Sequence, residues 1–447
     1  MSSATPIRRC TPAEALRSQL CARLADARAR THKLFRLVRP QALYDRPIPE
    51  RHRIVFYIGH LEAFDWNLLR ERVFALPSFH PEFDRLFAFG IDPVDGGLPA
   101  DKPSDWPSIE EIERYNRRVR ETLDDAIGRA DLDDPGQPLL RDGLVLRVAI
   151  EHRLMHAETL AYMLHQMPLD RKFPQQAEPR PALPRHTPRT VEIPAGAATL
   201  GMQRGGAFGW DNEFEEQVLK VPSFAIDAFA VTNGEFLEFM RAGGYEDRAL
   251  WSEADWEWKE WHGIRKPQFW MEREGRWFYR GMFTEISLPL DWPVFVSHAE
   301  ASAYARSKGK ALPTEAQFQR AAYGRPGGGE SSYPWGEAPA AAEHGNFDSR
   351  RWDPEAVHAH PAGASAFDVE GLLGDGWEWT STIFGPLPGF TPFSFYPGYS
   401  ADFFDGKHHV MKGGSMRTAA CMLRRTFRNW FQLRYPYVYA KFRCVTN

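Results

Sequence analysis

Three histidines stand out because their spacing could build one metal site. His152 and His156 are four residues apart in EHRLMHAETL, and His60 lies far upstream in GHLEAFDWNLL. Residues four apart on a helix share a face, so both imidazoles can point at one ion. Three neutral nitrogen ligands leave coordination positions open for a catalytic metal, and imidazole suits iron, copper and nickel as well as zinc. The alternative without a metal is that His152 and His156 are an ordinary packed or surface pair, which is common in a chain with 15 histidines.

The segments that carry these histidines are predicted to be long helices of a bundle. Ser108 and Glu111 form a capping box at the start of one of them. A Gly-, Pro- and Asp-rich crossover, DPVDGGLPADKPSDWPS, separates the second helix from the third. Metal sites in such bundles are built between facing helices. The four helices are predicted at 12–38, about 54–76, 108–127 and 142–168.

A proline-rich stretch divides the chain into two predicted domains. We assign a helical bundle to residues 1–171, a linker of extended character to 172–190, and a second domain to 191–447. In the second domain helical periodicity nearly vanishes, and two short helices stand out, TNGEFLEFMRAGG and SHAEASAYARSKG. Most of the 15 Trp and 31 Phe follow residue 208. This texture predicts a large, irregular α+β domain with an aromatic core or an aromatic-lined cavity.

Composition excludes several classes of protein. The net charge of −4 gives no reason to expect a nucleic-acid partner or an anionic membrane. No run approaches 18 apolar residues, so no membrane span is expected. The four cysteines form no Cys-x-x-Cys pair, which disfavours a zinc finger or a disulfide framework. We therefore expect a cytoplasmic protein that acts on small molecules.

Motifs along the second half resemble the formylglycine-generating-enzyme-like fold, a relative of C-type lectins. They include IPAGAATLGM, VTNGEFLEF, LPTEAQFQRAA, GDGWEWTST and KGGSM. The first half, with its three placed histidines, resembles the DinB-like four-helix bundle. The two joined in this order resemble the ergothioneine-type sulfoxide synthases. These are non-haem iron(II) enzymes that use O₂ to join a sulfur donor to the imidazole of hercynine, Nα-trimethylhistidine.

The resemblance implies a role for several residues. It makes His60, His152 and His156 the ligands of Fe(II). FTPFSFYPGYSADFFDG matches the segment of a catalytic tyrosine, which falls on Tyr396, with Tyr399 as the alternative because the segment holds one extra residue.

In the matching motif TFRNW, Asn429 would bind hercynine, next to Trp430. Two positions depart from the family pattern. Met155 stands where the ligand helix usually has a glutamine that touches hercynine. Phe431 stands where enzymes that use γ-glutamylcysteine carry an acid facing the donor's ammonium group.

Phe431 suggests a different donor. Leaving the buried ammonium of γ-glutamylcysteine unpaired would cost roughly 3–5 kcal/mol, whereas a sugar presents apolar C–H faces and no fixed charge. The aromatic sequence FRNWFQLRYPYVYAKF resembles the selenoneine synthase branch, which joins a selenosugar to hercynine. The alternative donor is γ-glutamylcysteine or cysteine, as in ordinary ergothioneine-type enzymes.

Two other functions compete with this hypothesis. One is a lectin-like binding protein without catalysis, which would not need three histidines inside a bundle. The other is a formylglycine-generating enzyme, but its reactive cysteine pair is poorly matched by Cys421 and Cys444, which are 23 residues apart. The sequence DNE at 211–213 could hold calcium through its oxygens, although we do not count it among the predicted sites.

Overall fold

A computed structural model describes residues 11–88, 97–176, 183 and 186–446 of the chain. It divides into two compact units, residues 1–173 and 174–447. The middle of the predicted linker, at 177–182, 184 and 185, lies outside the described residues, as do 89–96 at the start of the crossover.

The first unit is built on four long helices, which confirms the predicted bundle. The helices of this unit are α1 Pro12–Phe35, α2 Ile54–Leu69, the short α3 Pro81–Leu86, α4 Ile109–Arg129 and α5 Leu144–Gln166. Helix α1 packs against α5 and α4, and α2 packs against α4 and α5. The short helix α3 lies against α2.

The ends of these helices follow local chemistry. The Ser108 hydroxyl accepts a hydrogen bond from the Glu111 amide, and the Glu111 carboxylate accepts one from the Ser108 amide, which confirms the capping box. The second helix, predicted over about 54–76, changes character near its end. Its α-helical part ends at Leu69, and a π turn over Arg70–Phe74 leads to a left-handed Ala75 with φ 48°. A π turn widens the helix and lets the chain leave it early.

Two helices form the centre of the bundle. Both α2 and α5 are buried around most of their circumference, whereas α1 and α4 keep a solvent-exposed face. A polar side chain on α2 or α5 is therefore shielded from water, and it needs a partner or a ligand. The described residues include no helix that is both long enough and apolar enough to cross a membrane.

The second unit mixes short strands and short helices, as predicted. Its helices are α6 Asn233–Arg241, α7 Glu253–Trp261, α8 His298–Ser307 and α9 Glu315–Tyr323. The sequence predicted α6 and α8. The sequence analysis missed α7 and α9. The N-cap residues Ser252 and Thr314 could have indicated where these two helices begin. The strands up to α8 are β1 Thr190–Ile193, β2 Gly196–Leu200, β3 Gln217–Val221, β4 Phe224–Asp227, β5 Trp270–Arg273, β6 Arg276–Arg280 and β7 Glu285–Ser287.

A four-stranded sheet carries the C-terminal motifs. The remaining strands are β8 Gly376–Ile383, β9 His408–Gly414, β10 Asn429–Gln432, β11 Ala440–Lys441 and β12 Val445–Thr446. The sheet has the order β10-β9-β8-β11. Strand β10 runs antiparallel to β9, so that Phe431 pairs with His409 and Asn429 with Met411. The motif TFRNW thus leads directly into an edge strand.

Candidate metal centre and substrate residues

The three predicted histidines converge at one point inside the bundle. One ring nitrogen from each of His60, His152 and His156 lies within 4.8 Å of the others. The Nε2 atoms of His60 and His156 are 3.2 Å apart. Two nitrogens bound to one ion at about 2.1 Å each are separated by about 3.0–3.4 Å, so this pair already has the spacing of ligands. Within the part of the chain that the structure describes, no other group of three His, Cys, Asp or Glu side chains has such geometry.

The orientation of His60 is set by the backbone. Its Nδ1–H donates to the carbonyl oxygen of Phe87 at 2.7 Å. This bond places the proton on Nδ1 and leaves the Nε2 lone pair directed at the other two histidines. Metal-ligating histidines commonly use their second nitrogen in this way.

Burial keeps all three imidazoles neutral. It lowers the pKa of His60 to about 4, despite the bond to Phe87 that favours the charged form. Burial, followed by the neighbouring histidines, lowers the pKa values of His152 and His156 well below the usual range. A neutral imidazole offers the lone pair that a metal requires. The residues present therefore fit a nitrogen-liganded metal ion.

Aromatic rings enclose the three histidines. Phe64 stacks on His152 at 3.4 Å between ring centroids, and Phe56 stacks on His60 at 4.8 Å. Tyr57 lies 5.8 Å from the ring of His156. These contacts limit the imidazoles to few rotamers and exclude water from their sides.

A buried ion network fixes the two helices that supply the histidines. Arg153 follows His152 on α5, and it donates to the carboxylates of Glu62 at 3.0 Å and Asp65 at 2.7 Å on α2. All three charged side chains are at most 1% exposed. Arg120 of α4 adds a second cation to Glu62 at 2.6 Å. The network sets the register between α2 and α5, and with it the spacing of the ligands.

The sequence analysis missed this network, although its signal was present. Acidic residues follow His60 at the second and fifth positions, and an arginine directly follows His152. In a helix that is buried on every side, such charges must find one another.

Met155 is half-buried on α5, one residue before His156. Its thioether offers only a weak acceptor where an amide would both donate and accept. The predicted contact of this side chain with substrate stays a prediction.

The loop that carries Tyr396 is a tight turn in the second unit. The Tyr396 amide donates to the carbonyl of Phe393 at 3.0 Å, and the Tyr399 amide donates to that of Tyr396 at 3.3 Å. Burial, then the carboxylates of Asp211 and Asp402, raise the pKa of the Tyr396 phenol to about 12. The phenol therefore keeps its proton at neutral pH.

The alternative tyrosine, Tyr399, has a different environment. It is buried, and its ring stacks on Trp210 at 3.9 Å and meets Trp430 edge-on at 5.4 Å. Trp430 in turn stacks on Phe384 at 4.3 Å. Tyr399 is thus one layer of an aromatic cluster.

Strand β10 carries three of the four predicted substrate residues and divides them between two faces. Successive side chains of a strand point to opposite sides, so Asn429 and Phe431 share one face and Trp430 has the other. The Asn429 side-chain oxygen accepts from the Trp430 amide at 2.9 Å, which assigns the other end of the amide, the NH₂ group, as a donor. Phe431 stacks on Tyr435 at 5.5 Å.

Two buried ion pairs support the segment before β10. Arg428 makes a two-pronged contact with Glu315, at 2.9 and 3.0 Å. Glu213 accepts from Arg424 at 2.8 Å and from the Thr426 hydroxyl at 2.7 Å. Both oxygens of Glu213 are engaged within the protein, so Glu213 anchors this segment.

Comparisons with known proteins bear on both units. The sulfatase-modifying factor enzyme 1-like domain family matches residues 175–447, and the DinB superfamily matches residues 23–160. A hercynine oxygenase of Mycolicibacterium smegmatis is 36% identical over 431 residues, covering 93% of this chain and 95% of that protein. The hercynine oxygenase of Mycolicibacterium thermoresistibile is 33% identical, with 93% and 91% covered.

A more distant relative matches a similar share of this chain within a longer protein. Ergothioneine biosynthesis protein 1 of Neurospora crassa is 27% identical over 91% of this chain and 55% of its own length. Two relatives above 30% identity match over nearly their whole length, and both domain families are present in the expected order. The chain therefore belongs to the ergothioneine-type sulfoxide synthase family and is an oxidoreductase-type enzyme.

Proposed function

We propose that this enzyme is an O₂-dependent non-haem iron(II) enzyme that forms a carbon–selenium or carbon–sulfur bond at the imidazole of hercynine. The observation that carries the proposal is the convergence of His60, His152 and His156 in a chain that matches a hercynine oxygenase over 93% of its length. A non-catalytic lectin-like function is not retained, because the chain belongs to a family of enzymes.

The three histidines would hold the iron. Bound there, the metal supplies the activation of O₂, since three protein ligands leave positions open. The protein contributes neutral, pre-oriented imidazoles. The bond from His60 to Phe87 and the network around Arg153 keep these imidazoles in place before the metal arrives.

Tyr396 would act as the phenol of the reaction. Because its pKa lies at about 12, its Oη carries a proton at neutral pH and can donate it to a reacting atom. The packing of Tyr399 between Trp210 and Trp430 supports Tyr396 over this alternative, because a ring held in a stack is poorly placed to meet substrate.

Hercynine binding would use β10. The NH₂ group of Asn429 can donate to the substrate carboxylate or to its imidazole. The trimethylammonium group has no N–H and is attracted to aromatic faces instead, by about 0.5–2 kcal/mol each. Trp430 belongs to a cluster that offers such faces. Met155 would face the substrate without a hydrogen bond.

The surroundings of Phe431 support a neutral donor. Phe431 stacks on Tyr435, and its cross-strand neighbour His409 is neutral at pH 7 because burial lowers its pKa to about 4. The carboxylate of Asp255, whose charge opposes this lowering of the His409 pKa, forms an ion pair with Arg434 at 2.9 Å. We therefore propose a selenosugar as the preferred donor. A selenol is more acidic than a thiol, so more of it is the nucleophilic anion at neutral pH.

The alternative is a hercynine sulfoxide synthase that uses γ-glutamylcysteine or cysteine. The name of one relative, ergothioneine biosynthesis protein 1, favours a sulfur donor. In that case Phe431 would be a packing substitution without influence on donor choice.

A competition experiment separates the two donors. The enzyme, loaded with Fe(II), receives O₂, limiting hercynine and equal amounts of 1-selenoglucose and γ-glutamylcysteine, and the adducts are separated by mass. We expect the selenosugar adduct to predominate. Phe431→Asp should shift products towards the γ-glutamylcysteine adduct, whereas the control Phe431→Leu should not. A predominant γ-glutamylcysteine adduct from the wild type would refute the proposed donor.

A further inference from the structure

A glycine lies directly beside the first of the three histidines, and a neighbouring ring fills the space that a side chain would need. Gly59 precedes His60 and is buried in the middle of α2. A Cβ atom at this position would lie 2.6 Å from the ring of Phe87, which is closer than two such carbon atoms come. Alanine is the better helix former, so helix propensity does not favour glycine here. The missing side chain is what lets Phe87 lie against the backbone of α2.

The residue that fills this space also orients His60. The carbonyl oxygen of Phe87 accepts from His60 Nδ1 at 2.7 Å. Phe87 is the C-cap of α3, and its side chain is fully buried. A ring that is packed on all sides has no open space into which it can rotate. A push on the ring of Phe87 is therefore passed to its backbone, and the carbonyl moves away from His60.

A second contact with the ring of Phe87 comes from the crossover between α3 and α4. The ring of Trp106 stacks on Phe87 with 6.1 Å between centroids, and it meets Phe56 edge-on at 5.9 Å. Phe56 in turn stacks on His60 at 4.8 Å. Trp106 thus contacts two residues that each contact His60.

A carboxylate on the same crossover fixes Trp106. Asp101 accepts from the indole N–H of Trp106 at 2.8 Å and from Arg53 Nε at 2.9 Å, and it forms an ion pair with Arg46. Arg53 is the N-cap residue of α2, and it also donates to the backbone carbonyl of Asp101 at 2.8 Å. The crossover is thereby attached to the start of the helix that carries the first histidine.

We infer that Gly59 and Trp106 are positioning residues of the metal centre, which act on His60 through Phe87. The inference rests on the proposed iron site. The space at Gly59 admits the ring of Phe87, and Trp106 keeps the ring there. The carbonyl of Phe87 then holds the Nδ1–H of His60, so that Nε2 faces the other two histidines. Partners that orient a ligand in this way commonly contribute about 10–100-fold to metal affinity.

Titration of Co²⁺ into the full-length, metal-free protein tests the inference. Imidazole binds Co²⁺ as it binds Fe(II); a competing chelator gives the affinity, and the visible ligand-field bands report the geometry. Gly59→Ala should weaken Co²⁺ binding at least about tenfold and change the bands. The matched control is Gly128→Ala on α4, because a Cβ atom there would meet nothing within 4 Å. This control should leave the affinity within about twofold of the wild type.

A double-variant cycle separates positioning from general destabilisation. Phe87→Ala removes every ring atom that the new Cβ would meet, and it keeps the backbone carbonyl. In the Phe87→Ala background, Gly59→Ala should therefore weaken Co²⁺ binding by no more than about twofold. Urea unfolding of the metal-free proteins, followed by circular dichroism, establishes that each variant is folded.

Trp106→Leu tests the same contacts from the crossover. Trp106 is half-buried, so this variant does not depend on a core substitution that folds. It should weaken Co²⁺ binding by more than the roughly twofold margin of the control, because Phe87 loses the ring that stacks on it.

Each outcome decides a different point. Unchanged Co²⁺ affinity in Gly59→Ala would overturn the inference, as would an equal effect of this substitution with and without the Phe87 ring. Unchanged affinity in Trp106→Leu would overturn the role of the crossover. A wild-type protein that does not bind Co²⁺ would overturn the metal centre and the positioning roles with it, whereas a failure confined to the variants leaves the proposed reaction untouched.

Discussion

Removal of the Arg153 side chain should destabilise the bundle more than almost any other single change. Arg153 is the shared cation of Glu62 and Asp65, at 3.0 and 2.7 Å, and all three are at most 1% exposed. In Arg153→Met, Glu62 keeps Arg120, but Asp65 loses the cation that neutralises it. Leaving a buried charge uncompensated costs about 3–5 kcal/mol. For a unit of this size each kcal/mol lowers the melting temperature by about 2–4 °C, so we expect a loss of about 6–20 °C.

The assay is thermal and urea unfolding of the metal-free protein, followed by the helical circular dichroism signal. Adding Asp65→Asn to Arg153→Met should restore most of the stability, because Glu62 keeps Arg120 and no buried charge is then uncompensated. Arg129→Met is the control, since its ion pair with Asp125 is largely exposed and should contribute less than about 1 kcal/mol. A loss below about 1 kcal/mol for Arg153→Met would refute the reasoning, as would a double variant Arg153→Met/Asp65→Asn that is no more stable than the single one.

Four further outcomes are expected. His156→Ala should abolish iron binding, measured by metal analysis, while the circular dichroism spectrum stays close to that of the wild type; retained iron would remove the site assignment. Histidine should have a much lower kcat/KM than hercynine, because aromatic faces attract the trimethylammonium group; equal values would show that methylation is not recognised. Tyr396→Phe should keep iron and hercynine binding but lower bond formation or divert O₂ to oxidation of the donor, whereas wild-type behaviour together with a defective Tyr399→Phe would move the role to Tyr399. Burial lowers the pKa of Lys412 from 10.5 to about 8. Between about pH 8 and 10.5 the unfolded state therefore binds more protons than the folded state, and this difference makes the free energy of unfolding rise with pH. Lys412→Met should lack this contribution, and equal slopes of unfolding free energy against pH in the variant and the wild type would contradict the assignment.

The bundle could be predicted because its signals are local. Helical periodicity, the capping box at Ser108 and the spacing of His152 and His156 all depend on residues within one or two turns of each other. The early end of α2 could not be foreseen, because the π turn over Arg70–Phe74 has no distinctive composition. The ion network around Arg153 joins α2, α4 and α5, and it depends on helix packing that no single segment encodes.

The second unit was harder to predict for the same reason. Its sheets join strands that are far apart in the chain, and β11 and β12 are only two residues long. The motif TFRNW indicated where a site residue lies, but the separation of Trp430 from Asn429 and Phe431 follows from strand pairing with β9. The support of this segment by Glu315, about 110 residues earlier, is a tertiary effect.

The central claim is that three histidines hold an iron that activates O₂ for a reaction on hercynine. The most direct measurement titrates Fe(II) into the metal-free protein under anaerobic conditions and then follows O₂ consumption with and without hercynine, in the presence of a selenol or thiol donor. We predict one equivalent of bound iron, and O₂ consumption that requires hercynine and yields a hercynine–donor adduct of the expected mass. Activity that is unchanged without iron, or iron that stays bound after His60, His152 and His156 are replaced together by alanine, would contradict the account.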